Sequence, residues 1–285
     1  MLFVPADSDR KFEKAQSAGA DALILDLEDA VATPLKAEAR ARVATWLGQA
    51  TGRDWAFFVR INPFETGLTL ADLAAVVRPG LDGVVVPKAN SAADIERLSH
   101  YLDAFETAAG MARESVRLVV VATETPRAMF NLGSYTPAHP RLAALTWGGE
   151  DLSAAIGAAT PRETDGGWTE PYRHVRSWCL FAAAAAGVAP LETLYADYRD
   201  SGGLAAMARA ARRDGFIGQI AIHPDQVPVI NACFTPSEAD VTHARRVVNA
   251  FAAQPDAGTV GIDGKMYDRP HLTAAQKVLQ AAGRA

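Results

Sequence analysis

The stretch LTWGGEDLSAAIGA, residues 145–158, starts as a short apolar strand, breaks at Gly148 and Gly149, and runs on with helical spacing from Glu150. A strand that turns through glycine straight into a helix is one βα unit. Similar apolar runs lie at 2–4, 22–28, 57–62, 83–88, 117–124, 191–195 and 219–223, which with 145–149 makes eight. Most are continuously apolar and not alternating, the pattern of strands covered on both faces of a parallel sheet. Between them lie segments such as RKFEKAQSAGA (10–20), SAADIERLSHYLDAFETAAG (91–110) and GGLAAMARAARRDG (202–215), with helical spacing and glycine stops. Eight such units predict an α/β fold, a (β/α)8 TIM barrel, with a doubly wound sheet as the alternative. The barrel is expected over residues 1–234. A helical extension over 235–285 follows, with one helix in TPSEADVTHARRVVNAFAAQ (235–254), a glycine-rich loop, and a last helix in LTAAQKVLQAAG (272–283). It is long enough to act as a lid or to reach a neighbouring subunit.

The bulk numbers narrow the function. Of 285 residues, 49% are hydrophobic and 21% charged, the balance of a globular enzyme and not of a disordered chain. The net charge of −5 offers no general attraction to nucleic acid or to an anionic membrane, so an anionic ligand needs a local basic patch. The two cysteines, Cys179 and Cys233, sit apart in apolar stretches and are expected as buried free thiols in a reducing compartment. The six histidines show no zinc-binding spacing. The apolar start MLFVPADSDRK is too short for a signal peptide, and CLFAAAAAGVA (179–189) falls short of a membrane span, so a cytoplasmic location is expected.

The apolar runs end in polar residues: LILDLED brings Asp26, Glu28 and Asp29, FFVRIN Arg60 and Asn62, VVVPK Lys88, VVATE Glu124, WGGED Glu150 and Asp151, LYAD Asp197, and IAIH His223. In a barrel these ends converge on one rim, where active sites of this fold lie. Each residue also has a structural explanation. Asp151 is a good helix cap, Glu124 precedes a Thr-Pro turn, Arg60 can neutralise Glu28, and His223 suits a satisfied core position. Lys88 is either a barrel ion-pair partner or a Schiff-base amine. Glu124 and Asp151 end the fifth and sixth strands, which are neighbours. Two carboxylates completed by waters and a chelating ligand satisfy Mg2+, with Mn2+ as the alternative ion. The two glycines before Glu150 let backbone approach such a ligand.

The blocks LFVPADSDRKFEKA, ALILDLEDAV, FVRINP, VVVPKANSAADI, VVATETPRA, TWGGEDLSAAIGA, YADYRD and AIHPDQVPVI resemble, in order, the citrate lyase β-subunit-like family of the HpcH/HpaI aldolase superfamily. The resemblance covers nearly the whole chain and is strongest to the stand-alone malyl-CoA and citramalyl-CoA lyases, whose M-x-D-x-P segment GKMYDRPHL (264–272) resembles. It implies a Mg2+-dependent carbon–carbon lyase that splits or makes a 3-hydroxyacyl-CoA thioester, yielding a 2-keto acid and a short acyl-CoA. By motif position it implies that Glu124 and Asp151 hold the metal and that Arg60 faces the thioester carbonyl. Asp268 would be the acid/base, delivered by the tail onto an adjacent subunit and sitting there in a desolvated pocket that raises its pKa. Phe3, Arg10, Lys14 and Lys36 match positions that hold coenzyme A, with Ile222 and His223 lining the same groove. A homotrimer, or a hexamer of paired trimers, is implied too. The chain departs from the family in YDR around Asp268, and D-R-P is also a common turn that Asp268 would simply start. Three other activities compete: a Lys88 Schiff-base aldolase, a thioesterase or malate-synthase-like enzyme on the same thioesters, and a citrate lyase-type subunit acting on a carrier-protein thioester.

Overall fold

The computed structural model describes residues 1–283. They divide into two compact units, Met1–Ile230 and a second from Asn231 onward. In the first, strands and helices alternate: β1 (Leu2–Pro5), α1 (Asp9–Gln16), β2 (Ala22–Asp26), α2 (Lys36–Gln49), β3 (Ala56–Arg60), α3 (Thr69–Val76), β4 (Gly83–Val86), α4 (Ala92–Ala108) and β5 (Arg117–Val121). A short α5 (Pro126–Met129), β6 (Leu142–Thr146), α6 (Gly149–Ile156), α7 (Glu170–Ala186), β7 (Ala189–Glu192), α8 (Ser201–Asp214) and β8 (Gly218–Gln219) follow. The eight strands form one parallel sheet in sequence order. The sheet curls until its ends meet: Phe3 N–H donates to the Ala221 carbonyl and Ala221 N–H to the Met1 carbonyl, both at 2.8 Å. This is the arrangement of a TIM-like barrel. The doubly wound alternative is excluded, because that topology leaves two free sheet edges.

Alternate strand residues face inward. Ile24, Phe58, Val85, Val119, Val121, Ala144 and Leu191 pack as one interior cluster, with Phe3 against it. Their neighbours Leu23, Leu25, Phe57, Val59, Val84, Leu118 and Val120 are also fully buried. Burial on both faces is why these strands read as unbroken apolar runs.

Most strands stop before the polar residues that end the apolar runs, while Asp26 and Arg60 are the last residues of β2 and β3. β2 ends at Asp26 because the Asp26 carboxylate takes over the backbone, accepting from Glu28 N–H at 2.9 Å and Ala30 N–H at 3.1 Å. Past β3, the Asp72 carboxylate likewise accepts from Asn62 N–H at 2.7 Å. Glu28, Lys88 and Glu124 therefore sit in βα loops, Arg60 at the end of β3 and Asp151 in the first turn of α6. β6 and β7 begin earlier than their apolar runs, at Leu142 and Ala189.

At the opposite rim, Arg141 is completely buried just before β6. Its guanidinium donates to both Glu106 oxygens (2.7 and 2.6 Å), to Asp103 (2.5 Å) and to the Val116 carbonyl (3.1 Å). Nothing in the sequence marks this cluster as a set, since its members come from α4 and two strand starts.

The second unit follows α9 (Gln226–Phe234), a helix that runs from the first unit into the second. It pairs α10 (Glu238–Ala252) with α11 (Arg269–Ala282), joined by the antiparallel hairpin β9 (Thr259–Ile262) and β10 (Lys265–Asp268). Ala244, Val247, Phe251, Val260 and Ala275 form its own small core. Neither cysteine is in a disulfide, and both are buried. Among the described residues, no helix is long and apolar enough to cross a membrane.

Removing the Arg141 guanidinium strands Glu106 without its charge partner. Arg141→Ala is expected to cost about 3–5 kcal/mol of stability, read from urea unfolding midpoints, and to leave the chemistry of the opposite rim unaltered in whatever fraction stays folded.

Candidate active site

The C-terminal ends of β1 to β8 bring the predicted rim together. Phe3, Arg60, Glu124, Asp151 and Gly148 line one small cavity of about 70 Å³ with Trp147, Trp168, Thr193 and Ile220. That volume admits a few waters or a partly hydrated ion.

Glu124 lies three residues beyond β5, is 5% exposed, and is held by Lys88 N–H, which donates to its Oε2 at 2.6 Å. Burial, then the nearby Asp151 charge, pushes its carboxyl pKa up to about 8. Asp151 stands in the first turn of α6, with Glu150 beside it. The N-cap is Gly148, and no side chain caps the helix, so the capping explanation for Asp151 is not realised. The helix start still favours a carboxylate there electrostatically.

The glycine pair has a steric cause. A Cβ on Gly148 would stand 2.7 Å from Glu124 Cγ, and one on Gly149 would stand 2.6 Å from the Trp168 ring. The first glycine makes room for the Glu124 carboxylate itself, and the second makes room for an aromatic wall.

Arg60 is clamped. Its Nε and Nη2 donate to the two Asp26 oxygens at 2.7 and 2.6 Å, and its Nη1 pairs with Glu28 at 2.9 Å. The fork lies over the Phe3 ring at 4.7 Å. Burial works against the guanidinium, yet Asp26 and Glu28 more than offset it and hold its pKa above the ordinary arginine value. The neutralising explanation for Arg60 thus holds in geometry, and it is compatible with a role in chemistry: three donors are spent on orientation while the residue still lines the cavity.

Lys88 forms ion pairs. Its ammonium contacts Glu28 most closely, then Asp29 at 3.2 Å and Asp151 at 3.3 Å. Burial opposes the charge, but Glu28 foremost, with Asp151 and Glu124, raises its pKa above the ordinary lysine value. An amine held protonated is a poor nucleophile, so the Schiff-base alternative loses its support.

The expected coenzyme A positions divide. Phe3, Lys14, Ile222 and His223 line a second cavity of about 270 Å³ between β1, α1 and the loop after β8, with Lys11 beside them. Arg10 is exposed one turn before Lys14 on α1. Lys36 is elsewhere, lining a cavity with Glu28, Asn62 and Lys88, and its ammonium is bonded to the Leu27 and Glu28 carbonyls at 2.8 and 2.9 Å. His223 stacks on Tyr198 at 4.8 Å between ring centres.

Asp268 belongs to the second unit. It ends β10 and caps α11, accepting from His271 N–H at 3.4 Å while its carboxylate contacts the His271 ring. It is half-buried, and the His271 hydrogen bond lowers its pKa below the usual aspartate value. The desolvated, raised-pKa state expected from the sequence is not the state of this residue within its own chain, because the D-R-P-H segment builds a capping box.

Sequence reasoning missed Trp168 and Trp147. Their rings pack 4.8 Å apart, and Trp147 Nε1 donates at 2.6 Å to Glu192, itself paired with Arg176 at 2.6 Å. Arg162 lies 3.3 Å over the Trp168 ring and 3.2 Å from Glu150. The loop over residues 157–170 shows no periodic pattern, so no sequence signal points to it.

A parallel α/β barrel that gathers mutually repelling carboxylates and a clamped guanidinium on its C-terminal rim has the architecture of an enzyme. The chain belongs to the HpcH/HpaI aldolase/citrate lyase family, whose pattern matches residues 1–224. It is similar to the (3S)-malyl-CoA thioesterase of Cereibacter sphaeroides, 33% identical over 99% of this chain and 93% of that protein. The L-malyl-CoA/beta-methylmalyl-CoA lyase of the same species is 29% identical over 99% and 93%. Among solved structures, the protein CitE of Mycobacterium tuberculosis, in complex with magnesium, acetoacetate and coenzyme A, matches with a TM-score of 0.80 and 35% identity, covering 99% of this chain and 97% of that one.

The raised pKa of Glu124 has a measurable consequence. The folded chain keeps this proton at pH values where the unfolded chain, near 4.5, has lost it. Metal-free stability therefore falls as pH rises from about 4.5 to about 8. Glu124→Gln should flatten that fall and be more stable than the wild type at pH 8.5 by about 2–4 kcal/mol, measured by urea unfolding in EDTA.

Proposed function

We propose that this chain is a Mg2+-dependent carbon–carbon lyase that cleaves, or forms, a 3-hydroxyacyl-CoA thioester such as malyl-CoA or citramalyl-CoA, with a 2-keto acid and a short acyl-CoA as the other side of the reaction. The observation that carries this is the pairing of buried Glu124 with Asp151 in one cavity with clamped Arg60. A buried Glu124 that is costly to ionise, first because of its burial and then because of the Asp151 charge beside it, makes with Asp151 an all-oxygen donor set short of a cation, the chemistry that suits Mg2+ or Mn2+. Glu124 and Asp151 would hold the ion, which when bound supplies Lewis-acid polarisation of substrate oxygens.

The remaining work falls to the chain's own side chains. Arg60 offers a fixed positive charge where the thioester oxygen becomes negative as the carbon–carbon bond breaks. Its orientation is set beforehand by Asp26 and Glu28, so none is lost at the moment of reaction. Asp268 would protonate the enolate carbon, or remove the α-proton in the condensing direction. Its lowered pKa supplies the ionised form that a base needs. In this reading the second unit serves as a lid on a neighbouring copy's barrel, in a trimer or hexamer, and burial there would raise the Asp268 pKa toward a useful value. Phe3, Ile222 and His223 offer an apolar and aromatic bed for coenzyme A, and Lys14, with Arg10 one turn away, offers charges for its phosphates; Lys36, in the neighbouring cavity, would have to leave the Leu27 and Glu28 carbonyls to join them. Two buried cysteines outside any disulfide suit a reducing cytoplasm.

A second activity is favoured by one finding, the 33% identity to a malyl-CoA thioesterase over nearly the full chain. A citrate lyase-type role on a carrier-protein thioester rests on the family description. One assay separates them. Malyl-, citramalyl- and methylmalyl-CoA are incubated with and without Mg2+, and acyl-CoA, free CoA and keto acid are each quantified. Lyase activity yields acyl-CoA and keto acid in equal amounts, whereas free CoA marks hydrolysis. No turnover of any free CoA ester leaves the carrier-linked reading.

Asp151→Asn should remove Mg2+-dependent turnover in a folded barrel, and full activity in that variant would sink the ligand assignment. Arg60→Lys is expected to lower kcat by roughly 10²–10³-fold, since an ammonium cannot keep both the Asp26 fork and the Glu28 pair. Asp268→Ala mixed with Arg60→Ala protein should regain part of the activity if sites are shared between copies. Mixtures as dead as their parents would refute that geometry.

A further inference from the structure

Lys88 touches both proposed metal ligands, by two different arms. Its backbone N–H donates to Glu124 Oε2 at 2.6 Å, and its ammonium lies 3.3 Å from Asp151 Oδ1. The same ammonium is bound more closely to Glu28 and also pairs with Asp29 at 3.2 Å. To serve both directions the residue adopts φ +53°, a left-handed conformation that lysine rarely takes. Glycine or asparagine would meet that backbone requirement more easily. The lysine at this position is therefore explained by its side chain.

Five of the rim's carboxylates, Asp26, Glu28, Asp29, Glu124 and Asp151, gather around two cations, Arg60 and Lys88. Arg60 is committed to Asp26 and Glu28. That leaves Lys88 as the one cation with an ion pair to either proposed metal ligand among the described residues. Its bond to Asp151 is the longest of its three, and its side chain is 28% exposed, so it can give up that contact and keep Glu28. A divalent ion on Asp151 would face a like charge a few ångströms away, and the two would compete for the same carboxylate.

We propose that Lys88 is the resident counter-cation of this site: it neutralises Asp151 in the metal-free enzyme, yields that carboxylate to the divalent ion, and is then retained by Glu28 and Asp29, while its backbone keeps Glu124 in place. This rests on Glu124 and Asp151 being the metal ligands. Its effect is to set metal affinity lower, and metal-free stability higher, than the carboxylates alone would give.

The test is isothermal titration with MnCl2 and MgCl2, together with thermal unfolding in EDTA, on wild type, Lys88→Met, Lys88→Arg and Lys88→Gly. Lys88→Met should bind Mn2+ at least about tenfold tighter and melt lower than wild type without metal, with saturating Mn2+ closing the gap. Lys88→Arg should stay near wild type in both. Lys88→Gly keeps the N–H to Glu124 and relieves the positive φ, so it should bind as tightly as Lys88→Met and provides the reading if the methionine variant folds poorly. Mn2+ binding by Lys88→Met and Lys88→Gly that is equal to or weaker than wild type overturns the counter-cation role. An Asp151→Asn control separates the layers: if it binds Mn2+ as wild type does, the metal assignment itself fails and takes this proposal with it.

Discussion

Charge compensation at the C-terminal rim governs the rest of this structure. Carboxylates from the ends of β2, β5 and β6 are drawn together on low-dielectric ground, and two cations, Arg60 from β3 and Lys88 from the loop after β4, hold them there. Arg60 is fastened by three donors to Asp26 and Glu28, and Lys88 spans Glu28, Asp29 and Asp151. Loss of either cation would leave buried negative charge unpaired, a far greater cost than that of an exposed ion pair. Even so the set is not neutral, and Glu124, buried and beside the Asp151 charge, has its carboxyl pKa pushed up to about 8. A site left short of positive charge by its own fold is what the proposed divalent ion would complete.

The two rims of the barrel solve the same electrostatic problem with opposite results. Around Arg141 every partner is satisfied: Glu106 accepts from the guanidinium and from Val116 and Glu114 N–H, and the cluster is closed. Its work is stability. Around Arg60 and Lys88 the partners are satisfied only in part, and a cavity remains. That division follows the general habit of the fold, in which one end of the strands holds the barrel together and the other is free for chemistry.

Much of this was legible in the sequence. The eight strands were readable because burial on both faces demands unbroken apolar runs, and each run was found within a few residues of its place. The rim residues were readable because a charge at the end of such a run has few reasons to be there. Strand ends were less legible: side chains such as Asp26 and Asp72 terminate strands by capturing backbone N–H groups, and no local pattern announces which carboxylate will do so. Trp168 was invisible, because its position depends on the packing of an irregular loop against Gly149 and Trp147.

The amino-acid sequence by itself determined the α/β class, the parallel order of its strands, the family, and which charged residues stand at the ends of strands, since periodicity and composition are local properties. Only the tertiary structure decided what those charges do to one another. Whether Arg60 is clamped, whether Asp151 caps its helix, and which carboxylates Lys88 joins depend on distances between residues far apart in the chain. Electrostatic energy inside a protein follows separation and burial, and neither is written in the order of residues.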